Sequence, residues 1–328
     1  MSNTRLRIGC AVAAGIAALA LTAVPIMTTA QLYPARPVRL VVPFPPGGSN
    51  DIVGRLVGAG LGDRLGKPIV IDNRAGGNSI IGTDIVAKSQ PDGYNLIMIS
   101  TSFTTNPIIH KLPYDPLKSF AWVAMLGVGP NVLAVNQSLP ANSIKELIAL
   151  AKAKPDQLIY ASTGVGSNAH FGTELLKHMT GTNMRHVPYK GGGPALVATI
   201  AGEAHLCLSS LIQAIVHIRS GKLRALATSG GKRSVTLPDV PTISEAGVPG
   251  YETANWWGVA APRGTPVQVI RRLNEEIKTV LQMPETGKRL INEGAEPAIK
   301  TPDELGKYVA YEMAKWVQVA KIAGIRGE

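Results

Sequence analysis

Val38-Arg39-Leu40-Val41-Val42-Pro43-Phe44-Pro45-Pro46-Gly47-Gly48-Ser49-Asn50-Asp51 is the stretch on which the reading of the whole chain turns. The apolar run over 38–42 predicts a buried strand, and Pro43 stops it. Pro45-Pro46-Gly47-Gly48-Ser49 predicts a turn. Beyond the turn, Ile52, Val53, Leu56, Val57, Leu61 and Leu65 recur at helical spacing. Strand, glycine-rich loop and helix make the repeating unit of an α/β fold. The loop also carries chemistry. Glycines let a backbone approach a ligand closely, and the N-terminus of the next helix adds about half a positive charge. Phe44, Pro46, Gly47, Gly48 and Ser49 are therefore candidate contacts for a carboxylate or another anion. The competing reading is a plain turn capped by Ser49 or Asn50. Asp51 would repel an anion, so its expected role is to stabilise the first turn.

Working outward, Ile69-Val70-Ile71 and Leu96-Ile97-Met98-Ile99 predict two more strands, with a helix over 79–89 between them. Alternation at this pitch predicts parallel strands joined by crossover helices. Further strands are expected at 132–135, 158–161, 204–208 and 223–227. Ser143-Ile144-Lys145-Glu146 and Thr301-Pro302-Asp303-Glu304 read as capping boxes that start helices. The second of these helices carries Leu305, Val309, Met313, Trp316 and Ala320 on one stripe, a half-buried C-terminal brace. The middle third reads as a lobe inserted into the first. Gly127, Gly129 and Pro130 mark one crossing near 125–132, and Trp256-Trp257-Gly258 marks the other near 252–258. The expected division is a first lobe made of 31–131 and 255–328, and a second lobe made of 132–254.

The beginning of the chain reads as an address. Arg5 and Arg7 precede an almost wholly apolar run, and Thr28-Thr29-Ala30 offers small residues for cleavage after Ala30. Residues 1–30 are therefore expected to be a signal peptide, with the exported protein in the periplasm. Cys10 leaves with the leader and Cys207 stands alone, so no internal disulfide is possible and the core must hold the fold. The formal net charge of +11 comes from scattered lysines and arginines. With no basic run and only 4 Phe, 8 Tyr and 4 Trp, the chain has little with which to stack bases, and nucleic acid is excluded as a partner. A diffuse positive field favours small anions instead.

Two further loops repeat the pattern. Tyr160-Ala161-Ser162-Thr163-Gly164-Val165-Gly166-Ser167-Asn168-Ala169-His170 joins hydroxyls and glycines to a histidine in the next helix. It makes Ser162, Thr163, Gly166, Ser167 and His170 candidates for holding a carboxylate with neutral donors. A serine hydrolase using Ser167 and His170 is the alternative, but there is no G-x-S-x-G elbow and no acid placed to orient the histidine. Val187-Pro188-Tyr189-Lys190-Gly191-Gly192-Gly193-Pro194 is the third loop. From it Tyr189 and Lys190 join the set, Lys190 as the one formal positive charge. Ser102, just past the third strand, completes the candidates from the first lobe. No P-loop, no H-E-x-x-H and no clustered Cys/His set occurs, so no metal, cofactor or catalytic residue is expected.

Read together and in order, Phe44-Pro45-Pro46-Gly47-Gly48, Val70-Ile71-Asp72-Asn73-Arg74, Pro91-Asp92-Gly93-Tyr94, Leu112-Pro113-Tyr114-Asp115-Pro116, His186-Val187-Pro188-Tyr189-Lys190-Gly191 and Leu237-Pro238-Asp239-Val240-Pro241-Thr242 are specific. The chain resembles the extracytoplasmic "Bug" receptors of tripartite tricarboxylate transporters over essentially its whole exported length. The resemblance implies an α/β type II periplasmic-binding-protein fold, with two lobes, a ligand cleft and a two-strand hinge. It implies a carboxylate ligand, held at one end by the loop 44–49, partly through ordered waters, and at the other by the loop 162–170. It also implies membrane transporter subunits as partners, with the receptor itself a monomer. Many such receptors carry an acidic residue where this chain has Ser209-Ser210. A buried ammonium needs a carboxylate partner. Serine there favours a dicarboxylate or aromatic carboxylate over an amino acid, with Ser209 at the ligand; Trp256 reads either as an aromatic wall or as a core tryptophan at the hinge. A ligand-sensing subunit of a signalling system is the other reading of the same resemblance.

Overall fold

Apolar β-branched runs form the centre of the molecule, and the computed structural model describes them within residues 33–325. The expected leader over 1–30 and its cleavage site lie outside the described residues. The opening stretch folds as its pattern dictates: β1 (Val38–Val42) is almost fully buried, and α1 (Ser49–Leu65) ends where Gly66 adopts a left-handed φ of 66°. Then come β2 (Ile69–Asn73), α2 (Ile80–Ala87), β3 (Asn95–Ser100) and α3 (Thr101–Ile109). α2 is shorter than the expected 79–89: it starts at Ile80, because Asn78 and Ser79 adopt positive φ values of 47° and 87° in the turn before it, and it ends at Ala87, where Lys88 leaves the helical conformation at φ −96° and ψ 0°.

The chain continues through β4 (Phe120–Asn136), α4 (Ile144–Ala153), β5 (Ile159–Ser162), α5 (Asn168–Thr180) and β6 (Arg185–Pro188). Next come α6 (Gly192–Ala201), β7 (Leu206–Ser210), α7 (Leu211–Arg219) and β8 (Leu223–Thr228). It closes with β9 (Ala254–Pro262), α8 (Val267–Gln282), α9 (Pro284–Asn292), β10 (Glu296–Pro297) and α10 (Pro302–Ile322). The strands lie in the order β2-β1-β3-β9-β4-β7-β5-β6, with β8 and β10 also pairing with β4.

The sheet is mixed: the three opening strands are parallel, as their alternation with helices predicts, and antiparallel strands join them further along the chain. β1 runs parallel to β2 and β3, and β5 runs parallel to β6 and β7. β9 is antiparallel to both β3 and β4, and β4 is antiparallel to β7 and β8. Hydrophobic periodicity reveals that a strand exists but not its direction, which depends on where the chain re-enters the sheet. β4 is also where the sheet changes hands. It pairs with β9 from Phe120–Pro262 to Pro130–Ala254, and from Asn131 onward it pairs with β7 and β8 instead. Pro130 has no N–H to give a ladder, so it suits this seam.

Each half of the sheet has its own core, and the halves are the two lobes of a type II-like arrangement. Val41, Ile97, Phe103 and Trp256 pack in one cluster, while Leu133, Tyr160, Phe171 and Tyr251 pack in the other. α10 braces both: Leu305 and Val309 join the first cluster, and Trp316, Val319 and Ala320 join the second. Its capping box is complete, with Thr301 Oγ1 accepting from Glu304 N at 3.3 Å and Glu304 Oε2 accepting from Thr301 N at 2.8 Å. The box expected at Ser143 is half formed. Ser143 Oγ accepts from Glu146 N, but the Glu146 carboxylate accepts from the N–H of Asn142 instead.

Candidate ligand cleft

The carboxyl ends of parallel strands are where helices begin, and five helices begin at one cleft. Gly48, Ser49 and Asn50 bring the start of α1, and Ser100 and Ser102 that of α3. Asn168 and Ala169 bring α5, Gly192 and Gly193 bring α6, and Ser210 and Gln213 bring α7. At α1, α3, α6 and α7 no side chain caps the first turn, so their N–H groups are not satisfied in that way. Aligned dipoles and open N–H groups favour an anion. The remaining lining includes Phe44, Pro46, Thr163, Asn131 and Asn255, and none of the lining side chains is Asp, Glu, Lys, Arg or His. The cleft encloses about 60 Å³.

The floor is fixed by amides. Asn131 Nδ2 donates to Asn168 Oδ1 at 2.6 Å, Asn168 Nδ2 donates to the Ala254 carbonyl at 2.9 Å, and Thr101 Oγ1 donates to Asn255 Oδ1 at 3.0 Å. These bonds tie β4, α5, α3 and β9 together at the seam between the lobes. Asp51 behaves as expected of a first-turn carboxylate. Burial opposes its ionisation, but Arg55, the Gly47 N–H and Asn73 outweigh this and hold its carboxyl below the usual value. Gly47 N and Arg55 Nε each donate to it at 2.9 Å.

The candidates named from sequence fall into three groups. Phe44, Pro46, Gly48, Ser49, Ser102 and Thr163 line the cleft. Tyr189 and Lys190 line an adjoining cavity of about 770 Å³, which shares Phe44, Pro45 and Thr163 with the cleft. The others stand behind these walls. Gly47 has φ +76°, the bend that a residue with a Cβ would resist, and lends its N–H to Asp51. Trp256 is fully buried, edge-on to Tyr308 with ring centroids 5.6 Å apart, so it is a core residue and no wall of the cleft. Ser209 is buried but does not line the cleft, whereas Leu208 and Ser210 do. Strand alternation turns one serine of the pair away from the face its neighbours share.

Ser162, Gly166, Ser167 and His170 support the loop from below. Ser167 Oγ accepts from the backbone N–H of His170, and His170 Nδ1 accepts from the N–H of Gly166. The two side chains are thus spent on capping, and the Ser167–His170 pair required of a hydrolase is not formed. Ser162 Oγ instead lies 2.6 Å from His186 Nε2, and His186 is sandwiched between Tyr160 and His170, with ring centroids 4.7 and 4.3 Å away. Burial, with help from His170 and Lys177, pushes His186 down from 6.5 to about 3. From pH 6.5 down to about 3 the unfolded chain binds a proton that the native stack refuses, so stability falls as pH falls through that window. Melting curves across this range should therefore lose stability steadily, and His186→Phe, which keeps a stacking ring, should flatten the slope. An unchanged slope in that variant would contradict the assignment.

Sequence reasoning missed Asn131, Asn255 and Gln213, because uncharged amides on three distant segments carry no local signal. Among the described residues no group of His, Cys, Asp and Glu could hold a metal ion, and no helix is long and apolar enough to cross a membrane. A family model for "Tripartite tricarboxylate transporter family receptor" matches residues 53–325. Protein BugT of Bordetella pertussis is 40% identical over 301 residues, covering 91% of this chain and 92% of that protein. The structure of R. palustris Rpa4515 with adipate superimposes with a TM-score of 0.89 at 40% identity, covering 90% of this chain and 100% of the other. Periplasmic binding protein BugD gives 0.86 at 34%, covering 90% and 100%. MatC from Rhodopseudomonas palustris with bound malate gives 0.82 at 32%, covering 88% and 99%.

Proposed function

Since the chain belongs to the tripartite tricarboxylate transporter receptors, a family of periplasmic solute-binding proteins rather than enzymes, we propose that its cleft captures a short aliphatic dicarboxylate for such a transporter. The observation that carries this reading is the convergence of five helix N-termini on a cleft with no charged lining. Neutral donors in that number can offset the desolvation of a carboxylate. The same lining offers no carboxylate to an ammonium group, which weighs against amino acids. Adipate and malate in the two related structures are in keeping with this choice.

Export with cleavage after Ala30 belongs to the same proposal, as does delivery of the ligand to membrane subunits. So does the division into 31–131 with 255–328 and 132–254, supported by the change of β4 partners at Pro130 and Asn131. The test is a thermal-shift screen of the exported chain against a carboxylate library. A ligand at 100 times its dissociation constant should add about 2.7 kcal/mol of stability. Shifts with short diacids are expected. Shifts with sugars, nucleotides or cations, and none with any acid, would end this reading.

A further inference from the structure

One wall of the cleft is built around two polar atoms that find no hydrogen-bond partner in the protein, Ser210 Oγ and Gln213 Nε2. Both residues line the cleft and both are more than nine-tenths buried, at 7% and 8% exposure. They occupy the N-cap and the first turn of α7, whose end has no side-chain cap. The amide of Gln213 is held in place from the side. A Cβ added to Gly192, the first residue of α6, would fall 2.4 Å from its Oε1 and 2.5 Å from its Nε2. The absence of a side chain at Gly192 therefore leaves the room in which the amide lies, and it sets two helix starts and one donor against the same space. Buried polar groups are nearly always satisfied, so an unpaired donor in the wall of a cavity calls for an acceptor from the ligand.

We propose that Ser210 and Gln213 form a neutral end-reader that grips a second, acceptor-bearing group of the ligand and rejects an ammonium at that position. This rests on the carboxylate reading of the cleft and adds which end is read and by what. Gln213 Nε2 and Ser210 Oγ donate to the oxygens of a carboxylate or a primary amide. An ammonium there would face two positive helix ends with no carboxylate to pair with it.

Calorimetric titration of the exported chain with succinate and 4-aminobutyrate, and with adipate and 6-aminohexanoate, tests the reader, because within each pair only the end group differs. Wild type should bind the diacid of the better-fitting pair and show no measurable heat with its ω-amino partner. Gln213→Leu should weaken that diacid roughly tenfold to a hundredfold, the loss of one or two bonds to a charged group. Gln213→Glu should abolish diacid binding and gain the ω-amino acid, and that gain also proves the variant is folded. If Gln213→Leu leaves diacid affinity within about threefold, or if Gln213→Glu loses the diacid without gaining its amino partner, the end-reader is wrong. Failure of the underlying reading is distinguishable, because then wild type binds none of the acids.

Discussion

Asn50→Asp should cost roughly a hundredfold or more in affinity for a dicarboxylate, about 2.7 kcal/mol, while leaving the fold intact. Asn50 lines the cleft in the first turn of α1, is 6% exposed, and has an Oδ1 with no partner in the protein. The replacement has the same shape and adds one negative charge. In the helix, that charge sits at the favourable end, worth about 0.3–1 kcal/mol, though Asp51 next door offsets part of the gain. In the cleft it faces the ligand carboxylate with little water between them, where like charges repel strongly. Titration calorimetry and a melting curve on the same sample separate the two effects. Unchanged diacid affinity in a folded Asn50→Asp would mean the anion binds elsewhere.

Trp256→Ala should lower stability by about 3–5 kcal/mol. The indole is fully buried in the first-lobe cluster, between the sheet and α10. Its Nε1 has no partner in the protein, so removing it relieves one unsatisfied donor and recovers a little of the loss. Trp256→Phe should give a smaller loss, with the dissociation constant unchanged. Denaturant unfolding and calorimetry on both variants decide it. A tenfold change in affinity in Trp256→Phe with stability intact would restore the aromatic wall that the sequence suggested.

That tryptophan shows where the sequence stops being readable. Strand, loop and helix from Val38 to Leu65 fall where the apolar runs, Pro43 and the glycines put them, because those signals are local. The seam near Gly127, Gly129 and Pro130 is also visible, since residues that weaken a ladder mark its edges. The direction of β4 and β9 is not, because it follows from where distant strands pair. The site divides in the same way. Gly48, Ser49 and Thr163 sit in loops that announce themselves. Ser210 against Ser209 is decided by strand alternation and register, and Trp256 reads as cleft or core only once its face is known. Gln213 depends on Gly192, some twenty residues earlier in the chain, for the space it fills.

The central claim is that neutral helix N-termini, and no cation, hold the ligand. The crystal structure of the exported chain with its best-binding diacid is the most direct test. One carboxylate should lie within hydrogen-bond distance, about 2.7–3.2 Å, of N–H groups at the start of α1, with Ser210, Gln213 and the start of α6 at the other end. A diacid found instead in the adjoining cavity, with its carboxylate paired to Lys190, would contradict the account.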